Sequence, residues 1–306
     1  MKTLKVVPST PDFKFVRFNR RAFVLSSVLI IGSLLAFLMH GLNFGIDFKG
    51  GILVEISSSE AVDIAGLRGR MQTLDLGEVQ IQQFGTPTDV LIRVAEADDA
   101  VSTERDLSAV DAMRQDLEGE FEIRRVEIVG PQVSRELIQT GLLAVVAAIG
   151  SMLIYIWFRF EWQFSVGAVM ALVHDVILTI GVFSLLQLDF NLSILAAILT
   201  IVGYSMNDTV VVYDRVRENL RKYKKMDISE LLDIAINQTL SRTVMTSVTT
   251  LLALIALYTL GGEVIRGFTF AMIWGVLVGT YSSIFIAAPL LIRLGVKRDW
   301  SEVQSN

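Results

Sequence analysis

Long hydrophobic stretches dominate the chain. Six of them contain 20 to 27 residues each and are almost free of Asp, Glu, Lys and Arg. The stretches are 22–46, 137–158, 162–188, 190–213, 243–262 and 267–292. A helix that crosses a bilayer needs about 20 apolar residues, and buried helices of soluble proteins seldom run this long without a charge. The pattern therefore predicts six transmembrane helices.

Short alternating segments occupy residues 43–134, between the first two stretches. Val79 and Ile81 alternate with Gln80 and Gln82, which predicts a strand with one buried face. Strands are predicted at 51–57, 78–84, 90–95 and 121–129, helices near 60–74 and 103–118, and a turn at 85–89. The order βαββαβ is that of the ferredoxin-like α+β fold. This domain is interpreted either as a spacer or assembly domain, or as one that contacts a partner or substrate.

Composition agrees with a membrane protein. Of the 306 residues, 52% are hydrophobic and 19% are charged, against about 25% charged in soluble domains. The net charge of −5 argues against nucleic-acid binding, which needs a basic face. Because the chain has no cysteine and two histidines, disulfides and thiolate metal sites are excluded, and neither a histidine-rich metal site nor a cofactor is expected.

Basic residues are concentrated on one side of the predicted helices. If the N-terminus lies inside, the inside segments hold 16 basic residues and the two short outside links hold 1. Since Lys and Arg favour the cytoplasmic side, both termini are expected in the cytoplasm and residues 43–134 in the periplasm. The predicted organisation is a tail at 1–21, helix 1 at 22–42, the outer domain at 43–134, helices 2–6 within 135–293, a cytoplasmic loop at 214–241 and a tail at 294–306.

Two basic segments need a separate interpretation. The first stretch follows basic residues like a signal peptide, but its apolar run is longer than about 15 residues and lacks an A-x-A-like cleavage site, which favours an uncleaved anchor. The loop 214–241 carries six basic residues and is predicted to form a helix along the membrane surface. Attraction to anionic lipids explains that position, and a cytoplasmic partner is the open alternative.

Asp208 is the sharpest candidate for chemistry. It lies five residues before the end of the fourth stretch, where a charge costs at least about 2.5–3.5 kcal/mol at the bilayer centre. Tyr204 and Ser205 lie four and three residues earlier, so the helical repeat predicts that they share its face. The fourth helix is therefore expected to carry a polar stripe near its cytoplasmic end.

Arg242 opens the fifth stretch at a similar depth. Thr246 and Thr249 follow at helical spacing and predict a hydroxyl-rich stripe. Three interpretations are open: a snorkelling end residue, a structural ion bridge with Asp208, or a movable counter-charge for a carboxylate that takes up and releases a proton. In the third, a helix shift that changes the separation of Asp208 and Arg242 couples proton occupancy to motion.

His174 and Asp175 lie near the middle of the third stretch. Adjacent residues on a helix point about 100° apart, so the two side chains need not share a target. They are either a hydrogen-bonded packing pair or a relay that belongs to the same proton pathway as Asp208.

Five segments resemble one known family. They are LNFGIDFKGG at 42–51, VGP at 129–131, ALVHDVILT at 171–179, VGYSMNDTVVVYDRVREN at 202–219 and SRTVMTSVTT at 241–250. In this order they are similar to the SecF members of the SecD/SecF family of the bacterial protein-export machinery. The similarity covers nearly the whole chain. Its motif at the exit of helix 1 contains Gly45, Asp47, Gly50 and Gly51.

The resemblance implies a fold like that of resistance–nodulation–division exporters, and a multi-pass protein of the bacterial inner membrane. It also implies pairing with SecD, association with the protein-conducting channel SecYEG, and use of the proton-motive force to help complete the export of preproteins. The proton-pathway residues of the family fall on Asp208 and Arg242.

Two other function classes stay open beside a proton-driven export subunit. One is a passive scaffold of the translocase, and the other is half of a small-molecule exporter, for which an outer domain of about 90 residues is short. An enzyme is not expected, because the sequence offers neither a nucleophile with its base nor metal-ligand spacing, and catalytic residues are therefore not assigned.

Overall fold

The computed structural model describes residues 11–74, 76–77, 79–94 and 103–296. Within these ranges six helices are long and apolar enough to cross a membrane, which confirms the six predicted by the hydrophobic stretches. The chain divides into two compact units. The helical unit contains the described residues of 1–42, 145–188 and 193–306, and the sheet unit contains those of 43–144 and 189–192.

Seven α-helices account for the six candidate spans. They are α1 (Asn19–His40), α5 (Pro131–Arg159), α6 (Trp162–Leu186), α7 (Leu192–Lys222), α8 (Ile228–Leu260), α9 (Arg266–Ser282) and α10 (Ala288–Arg293), with a π-helical turn, Ser283–Ala287, joining α9 to α10. In the helical unit, side chains of several helices form one buried cluster around Phe164, Tyr213 and Leu231. Tyr213 is fully buried and donates a hydrogen bond to the carbonyl of Ala287 at 3.0 Å.

Glycines bring α7 and α9 close together. A Cβ atom added at Gly275 would lie 2.3 Å from Ile201, and one added at Gly279 would lie 3.1 Å from Ser205. Only residues without a side chain permit this approach, as in other small-xxx-small contacts between membrane helices.

The segment 214–241, predicted as a cytoplasmic loop, differs from its predicted structure. The sequence predicted one helix along a membrane surface, whereas α7 continues to Lys222 and α8 begins at Ile228. The prediction of a single helix was wrong, because the chain turns between the two helices and buries Val216 of α7 and Leu231 of α8 in the same core. Asp227 ends the intervening link by accepting a hydrogen bond from the backbone N–H of Ser229 at 2.8 Å, which caps α8.

The sheet unit has two short elements before its main sheet. These are β1 (Asn43–Phe44) and α2 (Ile46–Lys49), and β1 pairs in parallel with β6 (Asp189–Phe190). The main elements are β2 (Gly51–Ser57), α3 (Ile64–Thr73), β3 (Val79–Phe84), β4 (Thr86–Val94), α4 (Thr103–Leu117) and β5 (Glu122–Val129). The four main strands are antiparallel in the order β3-β4-β2-β5.

The central strand β2 is buried along its whole length. Ile52, Val54 and Ile56 belong to a core that also contains Met71 of α3 and Met113 of α4. Since alternate side chains of a strand point to opposite faces, the helices cover one face of the sheet.

Two boundaries in the sheet unit differ from the sequence prediction. Helix α3 begins at Ile64, four residues later than expected, because Asp63 accepts a hydrogen bond from Ala65 N at 3.0 Å and caps the helix there. The turn predicted at 85–89 is shorter, since β4 already begins at Thr86. Gly85, with φ of +82°, makes the reversal possible.

Candidate functional site

Asp208 is held by hydroxyl groups from two other helical segments. Thr243 of α8 donates a hydrogen bond to Oδ1 at 2.6 Å, and Ser283 of the π-helical turn donates one to Oδ2 at 2.6 Å. The carboxyl group is half-buried and lies inside the fourth candidate span. Hydrogen bonds to a carboxylate are among the strong ones in proteins, so this arrangement can hold the charged form away from water.

Ser283 can also bond without Asp208. Its Oγ atom lies 3.0 Å from the carbonyl oxygen of Thr280 as well as 2.6 Å from the carboxylate. A hydroxyl group has one hydrogen to donate and can also accept. If Asp208 is protonated, it can donate to Ser283, whose hydrogen then turns to the carbonyl of Thr280. The local contacts can therefore satisfy both protonation states.

Arg242 does not form the ion pair that its depth suggested. Its side chain is exposed, and the ion pairs within 4.0 Å among the described residues do not join it to Asp208. The neighbouring Thr243 faces Asp208 instead, and successive residues of a helix point about 100° apart. The exposed side chain of Arg242 therefore lies beyond ion-pair distance of the Asp208 carboxylate.

The hydroxyl stripe predicted on α8 is also turned outward. Thr246 and Thr249 are exposed, and both donate hydrogen bonds to backbone carbonyls one turn earlier in their own helix. Their hydroxyl groups do not reach Asp208. This behaviour is common for Thr in helices and gives these residues a local role in the isolated chain.

His174 and Asp175 form a second polar cluster, which is almost fully buried. The side chain of His174 is 3% exposed and that of Asp175 is 2% exposed. His174 Nδ1 lies 2.9 Å from Asp175 Oδ1, and its Nε2 lies 3.2 Å from the hydroxyl of Ser26. Ser205 and Ser282 donate to Asp175 Oδ2 at 2.6 and 2.7 Å. Three partners therefore satisfy this carboxyl group in the interior.

Ser205 forms its hydrogen bond with a carboxylate other than Asp208, the residue that the helical repeat suggested. It bonds Asp175, not Asp208, because α6 packs against that face of α7. Tyr204 lies on the same turn, and its buried hydroxyl group has no hydrogen-bond partner among the described residues. A single helical face on α7 is therefore not shared by all three polar residues.

Adjacent serines connect the two carboxylates. Ser282 bonds Asp175 and Ser283 bonds Asp208, because neighbouring positions point to different sides of the helix. Sequence reasoning missed both serines. A visible signal existed, since they form a polar pair inside the apolar stretch 267–292. The π-helical turn that begins at Ser283 had no such signal, and such turns are frequent at functional sites.

The glycine-rich motif after α1 forms a compact connection in the sheet unit. Gly45 lies at the N-cap of α2, and Gly50 and Gly51 have φ of +77° and +112°, which other residues rarely adopt. Asp47 accepts a hydrogen bond from the backbone N–H of Leu192 at 2.9 Å, at the start of α7. The motif therefore caps the helix that carries Asp208 further along the chain.

Metal ligation has no support from the side chains in the described ranges. Their His, Asp and Glu residues do not gather in groups of three that could bind a metal ion. Asp175 and Asp208 instead accept hydrogen bonds from hydroxyl and imidazole groups.

Comparison with known proteins agrees with this architecture. Residues 109–297 match the family described as "Protein export membrane protein SecD/SecF, C-terminal", and residues 35–62 match "SecD/SecF GG Motif". Protein translocase subunit SecF from Rickettsia rickettsii is 46% identical over 292 residues, which are 94% of each chain. The Rhodobacter capsulatus SecF is 44% identical, over 97% of this chain and 93% of its own.

Two solved structures share the fold. The crystal structure of SecDF, a translocon-associated membrane protein from Thermus thermophilus, is 36% identical with a TM-score of 0.84, over 93% of this chain. SecDF in its super-membrane-facing form has a TM-score of 0.70 at the same identity, over 98% of this chain. This chain spans only 39% and 41% of those longer chains. The six candidate spans, the motif after α1 and the similarity to SecF over almost the full length show that the chain belongs to the SecD/SecF family, as a SecF-type protein translocase subunit.

Proposed function

We propose that this chain is a proton-motive-force-driven accessory subunit of preprotein translocation across the bacterial inner membrane. In this proposal it acts with SecD and with the protein-conducting channel SecYEG on exported preproteins. The translocase names of its relatives support the role in export. Its similarity to about two fifths of a SecDF chain supports association with SecD.

One observation carries the proton role: Asp208 lies within a candidate span and has a hydrogen-bonding environment that can accept both of its protonation states. The hydroxyls of Thr243 and Ser283 stabilise the carboxylate, and Thr280 offers Ser283 another acceptor when the proton is bound.

Proton uptake at Asp208 would change its contacts with two helical segments at once. Loss of the negative charge weakens the hold of α8 through Thr243 and of the π-helical turn through Ser283, while the attraction of Arg242 disappears. We assign Arg242 the role of a counter-charge that approaches Asp208 in another conformation. One charge that crosses the membrane field supplies about 2.3 kcal/mol per 100 mV, which is enough to shift an equilibrium between two such arrangements.

We assign His174 and Asp175 a role in the same proton pathway as Asp208. Their cluster meets that of Asp208 through the adjacent pair Ser282 and Ser283, so a rotation of this turn changes both sets of hydrogen bonds. Because Asp175 already accepts from three partners in the interior, a relay or orienting role fits it better than exchange of protons with water.

The proposed topology follows from the distribution of basic residues. With both termini in the cytoplasm, the inner segments hold 16 Lys and Arg residues and the short outer links hold 1. Residues 43–134 would then be a periplasmic domain of ferredoxin-like fold, for which the βαββαβ element order and the strand order of the sheet unit give support.

The substitution Asp208→Asn tests the proposal, because the amide keeps the shape but cannot exchange a proton. We expect inverted membrane vesicles with this variant to retain the translocation that occurs without a proton-motive force and to lose its stimulation by that force. The control is Glu230→Gln at the start of α8, an exposed carboxylate that belongs to neither polar cluster. If Asp208→Asn assembles with its partners and responds to the proton-motive force like the unaltered chain, the subunit is a passive scaffold and the proton role is wrong.

A further inference from the structure

A basic cavity opens at one end of the helical unit. It has a volume of about 510 Å³ and lies where the end of α5 meets the last turns of α7. Six side chains line it: Arg159, Asp214, Arg217, Glu218, Arg221 and Lys222. The lining residues on α7 follow Asp208 by 6 to 14 residues, and the proton site described above does not use them.

The cavity carries an excess of positive charge. Four cations and two carboxylates line it, and both carboxylates are already occupied. Asp214 pairs with Arg159 at 2.9 Å, and Glu218 pairs with Arg215, outside the cavity, at 2.8 Å. Since Arg215 offsets Glu218, the positive charge of Arg221 and Lys222 is left to attract an anion, and both side chains are exposed.

The guanidinium groups are held in place by an aromatic ring. Arg159 and Arg217 lie 4.9 and 5.9 Å from the centre of the Phe160 ring. Arg217 also donates a hydrogen bond to the carbonyl of Arg159 at 3.3 Å. These contacts restrain the two side chains before any ligand binds, which reduces the entropy lost on binding.

Exposed aromatic residues place the cavity at the depth of lipid headgroups. Trp157 and Trp162 flank Arg159 along the chain and are 70% and 55% exposed, and Phe158 is 89% exposed. Trp residues collect at membrane–water interfaces because their rings are amphipathic. The link between α5 and α6 therefore belongs at that interface, with the cavity beside it.

We propose that the basic cavity binds the phosphate group of an anionic phospholipid of the phosphatidylglycerol type. Guanidinium groups match phosphate oxygens with two parallel hydrogen bonds, and Lys222 adds a point charge. The exposed apolar side chains of α5, such as Ile154 and Trp157, provide a surface for the acyl chains. The inference rests on the proposed membrane topology. It replaces a general attraction between the basic residues and anionic lipids with one defined binding site.

Lipid retention by the purified full chain tests this site. The chain is exchanged into micelles with equal amounts of phosphatidylglycerol and phosphatidylcholine, and bound lipid is measured by native mass spectrometry. The double variant Arg221→Gln, Lys222→Gln removes two charges from the cavity. We expect it to bind phosphatidylglycerol about 30-fold more weakly, from about 1 kcal/mol per basic residue.

The matched control is Lys224→Gln, Lys225→Gln, which removes the same charge from the link after α7. It should retain phosphatidylglycerol nearly as the unaltered chain does. Equal loss in both variants, or loss in neither, would overturn the proposal, and so would complete displacement of the lipid by inorganic phosphate, which would make the site one for free anions. Asp208→Asn should retain the lipid, so a failed proton role and a failed lipid site give different results.

Discussion

Replacement of Gly275 by Ala tests whether the close approach of α7 and α9 controls the stability of the helical unit. The added Cβ would lie 2.3 Å from Cγ1, 2.4 Å from Cδ1 and 2.8 Å from Cγ2 of Ile201. Ile201 is 1% exposed, so its side chain has no open space to enter. Both branches of the side chain stand in the way, and the two helices must separate.

Two effects of opposite sign decide the magnitude. Ala is favoured over Gly in a helix by about 1 kcal/mol, whereas an extra methyl group in a packed interior costs about 1–3 kcal/mol. Overpacking therefore wins, and we expect a net loss of about 1–2 kcal/mol. Truncation of Ile201 to Ala alone should cost about 2–5 kcal/mol because it leaves a cavity. The double variant should lose less than the sum, since the new methyl group enters that cavity.

Denaturant titration in mixed micelles, followed by circular dichroism, measures these differences. The control is Gly150→Ala on α5, where an added Cβ meets nothing within 4 Å. That variant should be neutral or slightly more stable. If Gly275→Ala behaves in the same way, or if its effect simply adds to that of Ile201→Ala, the two helices do not make the close contact and the reasoning is refuted.

Two predictions concern the sheet unit. Asp47→Ala removes the cap from Leu192 and should destabilise the start of α7 by about 0.5–2 kcal/mol, seen as faster amide exchange at residues 192–195, whereas Asp47→Asn should preserve protection. The hydroxyl of Ser57 at 2.6 Å, with further help from Thr86, lowers the pKa of Asp89. This stabilisation is present above the ordinary pKa of about 4 and is lost as the pH falls through the lowered one. The amide protection factors of β2, which correct for the pH dependence of the intrinsic exchange rate, should therefore fall below about pH 4. Asp89→Asn should abolish that fall, and an unchanged pH profile of this variant would contradict the prediction.

The six spans and most elements of the sheet unit could be predicted from the order of residues along the chain. A charged residue in lipid is penalised wherever it lies, so the absence of charge over 20 residues is a local property that can be read along the chain. The alternation in 79–83 predicted β3 for a similar local reason, because one face of the sheet is buried. The same rule identified Asp208, Asp175 and Arg242 as exceptions inside or beside the spans.

The hydrogen-bond partners of these charged residues could not be predicted from the sequence, because they depend on how the helices pack. Ser282 lies 107 residues from Asp175, and Ser283 lies 75 residues from Asp208. Whether such groups meet depends on the rotation of each helix about its axis and on the close contact that Gly279 allows. Helical spacing within α7 predicted that Ser205 shares a face with Asp208, but in the packed structure Ser205 bonds Asp175 of α6. Arg242, which the sequence offered as a partner of Asp208, has an exposed side chain. Hydrophobicity is a sum over neighbours in sequence, whereas a hydrogen bond requires two atoms to meet in space, and only the packed helices bring them together.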